Sequence, residues 1–241
     1  MERYKGQYKG HEVLAISIIF LSLGVFVLFI IQQSSPDFMV GITGQAIGGP
    51  NDTVSVTLNI TESQISSCDV NLVSGWNLVS FFCLHLGIPR DIALASIDGD
   101  YNAIFAYFPN AVTDPWKSYN PNLPDWTIQD LELMSRNQGY WIYMNSASRY
   151  NYSGIKALQN SIPLEPGWSL EGYPSGNTKN ASDAFSSLNG SYNLVAIYDE
   201  SSGSYLYYYP NDPASSDFNL TVPYEGYWIN ATDNDTWVLF W

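Results

Sequence analysis

Residues 137–144 read NQGYWIYM, and residues 224–231 read YEGYWINA. One chain thus writes Gly-Tyr-Trp-Ile twice, 87 residues apart. Working outward, GWNL at 75–78 and GWSL at 167–170 lie 92 apart, and YNAIFAY at 101–107 and YNLVAIY at 192–198 lie 91 apart. SYNPNLP at 118–124 matches YYYPNDP at 207–213 with an offset of 89. An offset that shrinks in small steps is what short loop deletions between matching elements produce. The fold is therefore a duplication, with one module at 67–160 and a second at 161–241.

Each copy reads as a strand, a short helix, three strands, and a last strand after Gly-Tyr-Trp-Ile. The helical stretches are IPRDIALASI at 88–97 and NASDAFSSL at 180–188. Pro89 suits a first helical turn, and Asn180 with Asp183 resembles a capping box. NAIFAYF and NLVAIY are apolar on both faces, as central strands are. Asp98-Gly99 and Asn189-Gly190 are turn dipeptides. Gly75, Gly167, Gly139 and Gly226 each precede a ring, which predicts close backbone approach or a bulge beneath it. Gly-Tyr-Trp-Ile reads as an architectural strand whose rings fill a module core. The expected class is mainly β (a β-rich α+β fold), with one short helix per module.

Upstream of the repeat, residues 13–31 (VLAISIIFLSLGVFVLFII) carry no charge. As a helix they would span roughly 28 Å, close to the hydrocarbon core of a bilayer. Arg3, Lys5 and Lys9 precede the run, and no Lys or Arg follows before Arg90. The positive-inside rule then makes 1–12 cytoplasmic, 13–31 a single transmembrane helix, and the rest extracellular. Residues 32–66 read as a Gly, Ser and Pro-rich stalk holding one alternating strand at 54–60. Lys9-Gly10 also resembles an archaeal pilin processing site. Cleavage after Gly10 would make the chain a filament subunit.

An outside location fits two further features. Cys68 and Cys83 are the only cysteines and would bridge across a hairpin centred near Ser74-Gly75. Asn-x-Ser/Thr acceptors start at Asn51, Asn59, Asn151, Asn180, Asn189, Asn219, Asn230 and Asn234. The chain is acidic, with net charge −14, which excludes nucleic acid as a partner.

Tandem modules carrying GWNL, YNAIFAY and GYWI in that order resemble a repeat of archaeal and bacterial surface proteins. KGHEVLAISIIF followed by GITGQAI is similar to the N-terminal layout of archaeal membrane-anchored surface proteins. The resemblance implies a β-rich extracytoplasmic module and brings no catalytic residues with it.

Candidate chemistry is sparse. His85 is the only histidine beyond the apolar run, too few for a Ser/His/Asp or zinc arrangement. No catalytic residue is expected, although a pair of acids for glycoside hydrolysis is a further alternative. No cofactor is expected beyond calcium. Asp98, Asp100 and Asn102 alternate as calcium ligands do, but the second copy writes NGSYN there and keeps the turn. Trp116, Tyr119 and Trp126 in the first copy, with Tyr205 and Tyr207 in the second, are the candidate ligand contacts. Alternation within SYLYYYP sends some rings out and others into the core. The expected function is a membrane-anchored, non-catalytic surface protein that binds glycans or other surface proteins.

Overall fold

In the computed structural model the described residues are 65–240 except 112, 125, 156 and 158, plus the backbone of three short strands upstream. Those strands, β1 (Tyr4–Lys5), β2 (Ala15–Phe20) and β3 (Phe26–Ile31), pair antiparallel and belong to a compact unit of their own. Two parts of 13–31 are thus paired strands where the sequence predicts one continuous helix. A run apolar on every side has no periodicity to separate the two. No helix among the described residues is long and apolar enough to cross a membrane. The strand at 54–60, Asn51, Asn59 and Lys9-Gly10 lie outside the described residues.

The second unit holds both repeats. The first comprises β4 (Ile65–Leu72), β5 (Gly75–Val79), β6 (Ile88–Pro89), α1 (Arg90–Ala93), β7 (Tyr101–Tyr107), β8 (Trp116–Tyr119), β9 (Leu133–Met134), β10 (Tyr140–Met144) and β11 (Ser148–Ile155). The second comprises β12 (Gln159–Leu164), β13 (Gly167–Gly172), β14 (Lys179–Asn180), α2 (Ala181–Ala184), β15 (Tyr192–Asp199), β16 (Ser204–Tyr208), β17 (Leu220–Thr221), β18 (Gly226–Ala231) and β19 (Asp235–Phe240). Pairing repeats one for one. The sheets run β5-β10-β7-β8 and β13-β18-β15-β16, with outer pairs β4–β11 and β12–β19 and small pairs β6–β9 and β14–β17. The fold is mainly β.

Registers repeat as well. Ile104 faces Tyr119 and Val195 faces Tyr208. Each central strand skips one residue against its neighbour, at Asn102 and Asn193, so the shared Tyr-Asn pair marks a β-bulge. Asp130 Oδ1 accepts from Ser118 N–H at 2.9 Å, and Asp217 Oδ2 from Tyr207 N–H at 3.0 Å. These equivalent carboxylates satisfy the outer edges of β8 and β16, where an unpaired strand would invite another chain.

Each module has its own core, rich in rings from both its four-stranded sheet and its outer pair. Phe81 stacks on Tyr150 at 3.9 Å, and the equivalent Tyr173 and Trp237 lie 6.3 Å apart. The helices are single turns, each followed by a short 3-10 turn. Pro89 is an N-cap rather than a first-turn residue. Asn180 also caps, but its side chain reaches Asp183 Oδ2 at 3.5 Å instead of a backbone N–H, so no capping box forms.

Cys68 and Cys83 are bonded. The stretch between them is not a ladder hairpin: β4 pairs with β11 and β5 with β10, so the chain turns at residues 73 and 74 from one sheet into another. Asn77 braces this corner from Val73 and Gly75, its Oδ1 accepting from Val73 N–H at 2.9 Å. The second module uses Asn160 in place of Cys68, and its Nδ2 donates to Pro174 O at 3.2 Å. Replacing both cysteines with serine should cost about 3 kcal/mol, the entropy of a loop of about 15 residues. Urea unfolding of oxidised and double-serine protein reads this directly.

The modules meet about a pseudo-two-fold axis. Ser80 N–H donates to Tyr224 O at 2.7 Å, and the equivalent Gly172 N–H donates to Asn137 O at 2.9 Å. Val79 bridges to Glu225, and their equivalents Glu171 and Gln138 bridge likewise. A Cβ on Gly139 would lie 2.7 Å from Leu170 Cδ1, and one on Gly226 would lie 3.1 Å from Leu78 Cδ1. The glycine of each Gly-Tyr-Trp-Ile therefore seats the leucine of the other module's Gly-Trp-x-Leu. The expected close approach exists, but to the other module rather than beneath an adjacent ring. Gly75 and Gly167 act differently, taking φ of +94° and +115° at the corner with open space around them.

Candidate functional site: an aromatic cleft

Strand parity explains the remaining letters of the repeated motif. Tyr140 and Ile142, like Tyr227 and Ile229, are fully buried in their own module. Tyr140 Oη accepts from Ser135 N–H at 2.7 Å, and Tyr227 Oη from Val222 N–H at 3.0 Å. Burial pushes both phenols well above their ordinary range. Side chains alternate, so Trp141 and Trp228 must face outward. They do, which corrects the expectation that every ring of the motif fills the core.

On the outward face Trp141 pairs across strands with Phe105, beside Trp76 from β5. Its ring lies 5.9 Å from Trp76 edge-on, 4.8 Å from Tyr198 and 6.3 Å from Tyr205, the last two from the second module. The equivalent set surrounds Trp228: Trp168 at 6.4 Å, Tyr107 at 5.3 Å and Trp116 at 5.8 Å. The axis thus generates two matching ring clusters. The first opens into a cleft of about 500 Å³ lined by Trp76, Phe105, Trp116, Trp141, Tyr198 and Tyr205. Trp76 and Trp168 are 41% and 40% exposed, so ring surface faces solvent in both halves. A broad exposed apolar surface of this kind marks an interaction site.

Of the sequence candidates, Trp116 and Tyr205 line the cleft, and Tyr207 stacks on Tyr205 at 6.5 Å. Tyr119 does not belong. It packs inward on the first core with the Arg90 guanidinium 3.3 Å from its ring centroid. Trp126 lies in a loop outside the cleft lining, 84% exposed. Sequence reasoning missed Trp76, Phe105, Trp141 and Tyr198, together with Trp168 and Trp228. The available signal was the period of two in GYWI itself.

Asp98 ends the 3-10 turn as its C-cap, and Asp100 and Asn102 find partners outside that turn. Asp100 Oδ2 accepts from Ser148 Oγ–H at 2.6 Å. In the second module Ser191 replaces Asp100 and Asp235 replaces Ser148. Donor and acceptor are exchanged, and the Ser191 hydroxyl holds the Asp235 carboxyl below its usual range. The carboxylate thus serves a brace that both copies keep. Asn102 Oδ1 accepts from Asn122 Nδ2–H at 2.6 Å. Among the described residues no three His, Cys, Asp or Glu side chains are grouped to hold a metal ion.

Asn151, Asn180, Asn189, Asn219 and Asn234 are exposed. Asn230 is half-buried and pairs with Trp168 on the cleft face, where the first module has Tyr143. Comparison with protein-family models, curated proteins and solved structures returns no match. The site is therefore read from this chain's own residues.

Proposed function

We propose that this is a membrane-anchored cell-surface protein whose cleft binds a neutral glycan chain without turning it over. The observation that carries the reading is the ring cluster built on both modules and left open to solvent. Ring faces stack against the C–H faces of sugars, and the Tyr198 and Tyr205 hydroxyls supply hydrogen-bonding partners at the wall. The rings brace one another edge-on, so little side-chain freedom is lost on binding. The strong negative net charge favours a neutral chain over an anionic one. The apolar 13–31 run with its basic leading flank supports the anchor. Within a bilayer an isolated hairpin would leave its strand edges unsatisfied, whereas a helix would not.

A glycan array with the full-length chain, followed by titration of the best neutral oligosaccharide against tryptophan fluorescence, tests the proposal. Trp76→Ala should weaken binding about tenfold to a hundredfold, the worth of one stacked ring at a hot spot. Trp126→Ala should leave it unchanged. Release of shorter sugars would replace this reading with a hydrolase, and equal losses in the two variants would move the site elsewhere. Protease added to intact cells should degrade the modules from outside.

A further inference from the structure

A second cavity of about 360 Å³ lies on the module junction, apart from the aromatic cleft. Phe108 and Met134 of the first module and Ile162 and Pro163 of the second form apolar walls. Glu171 enters it from β13 with only 9% of its surface exposed. Among the described residues the lining contains no Lys, Arg or His. Burial raises the Glu171 carboxyl to about 8, with only the Ser169 hydroxyl pulling the other way.

The other polar groups favour a donor as guest. Asn137 Oδ1 is buried at the same lining with no hydrogen-bond partner. Ser135 Oγ accepts from Asn137 N–H at 3.3 Å and has a lone pair left. Gln138 Nε2 is committed to backbone oxygens, closest at 2.6 Å to Leu170 O. A buried carboxyl and an orphan carbonyl oxygen together call for a cation that also carries N–H groups. One carboxylate is too few for a hard divalent ion, which needs six to eight oxygens. The apolar walls would enclose the body of an organic molecule.

We propose that this pocket binds a small organic ammonium, a primary amine on an apolar body, with Glu171 as its counter-ion. The reading does not depend on the glycan cleft. The first module has Val79 where the second has Glu171, so the axis does not repeat this carboxyl; on its other side the junction acid is Glu225, at the place of Gln138. Near neutral pH the guest enters as R–NH₃⁺ and Glu171 as a neutral acid. The carboxyl O–H breaks, its proton leaves to solvent, and the ammonium pairs with the resulting carboxylate.

Benzylammonium chloride is a suitable probe, with benzyl alcohol as its uncharged control. On the full-length chain at pH 6.5, benzylammonium should raise Tm in a saturable manner and benzyl alcohol should not. Titration calorimetry in two buffers of different ionisation enthalpy should show close to one proton released per site. Glu171→Gln should lose at least tenfold in affinity and abolish the proton release. Trp76→Ala should leave both readouts unchanged, which separates this pocket from the cleft. Absence of a Tm shift, binding without proton release, or unchanged binding by Glu171→Gln would each overturn the assignment.

Discussion

Gly139→Ala is expected to destabilise the fold by about 2 kcal/mol, and Gly226→Ala by less than half of that. A Cβ at 139 would meet Leu170 Cδ1 at 2.7 Å and the Glu171 carbonyl oxygen at 2.9 Å. Backbone on one side cannot retreat, and overpacking of this sort costs about 1–3 kcal/mol. At 226 the nearest atoms are Leu78 Cδ1 and Cγ at 3.1 Å and Val79 O at 3.3 Å, which a few tenths of an ångström of adjustment would relieve. Alanine also restricts the unfolded chain, returning about 0.4–1 kcal/mol to each variant. The two glycines occupy equivalent letters of one motif, so the asymmetry isolates the contact distance as the cause. Leu170→Ala alone should cost about 2–5 kcal/mol as a buried truncation. In the Gly139→Ala background it should cost at least about 1 kcal/mol less, because the clash and the lost packing involve the same atoms. Urea unfolding of the four proteins reads the coupling. Strict additivity would mean that the motifs do not hold the modules together.

The duplicated motif told far more about the fold than about the site. Pairing of β7 between two neighbours followed from a run apolar on both faces, and the turn at Asp98-Gly99 from its dipeptide. What no local pattern could supply was the partner of Gly139. Leucine and glycine sit 31 residues apart in separate modules, and nothing near either one points to the other. The same limit hid the cleft. Trp141 looks like core material beside Tyr140 and Ile142 until strand parity is applied, and Tyr198 becomes its neighbour only when the modules dock. Tyr205 was legible from the alternation in SYLYYYP, and Trp116 because polar, Pro-rich surroundings marked it as surface. That criterion also admitted Trp126, which is exposed but apart from the cleft, and Tyr119, whose place opposite Ile104 turns it inward. Composition reports exposure, and register decides which exposed rings meet.

Stability is expected to fall steadily from about pH 4.5 to about pH 8 and to level off above that, with Glu171 and Glu225 responsible. Both carboxyls sit at the module junction, and burial raises each to about 8. At Glu225 the nearby Glu200 and Asp199 push in the same direction. The folded protein therefore keeps protons that the unfolded chain releases above its ordinary 4.5. Because the unfolded state binds fewer protons across that window, the unfolding free energy decreases as pH rises. A shift of this size amounts to on the order of 5 kcal/mol for a single buried group. Below the window the opposite limb takes over. Asp130, held down by the Lys117 ammonium and Ser118 N–H against a burial effect, and Asp235, held down by Ser191, both lose stabilisation as pH falls below the ordinary 3.8. The optimum should therefore lie near pH 4–5, lower than the pH 5–8 usual for soluble domains. Glu171→Gln and Glu225→Gln should each raise stability at pH 8 and leave it little changed at pH 4.5, flattening the profile one step at a time. Urea midpoints measured from pH 3 to pH 9 check this. A wild-type profile that rises between pH 5 and pH 8 would show that the junction carboxyls are paired with a cation or reach solvent.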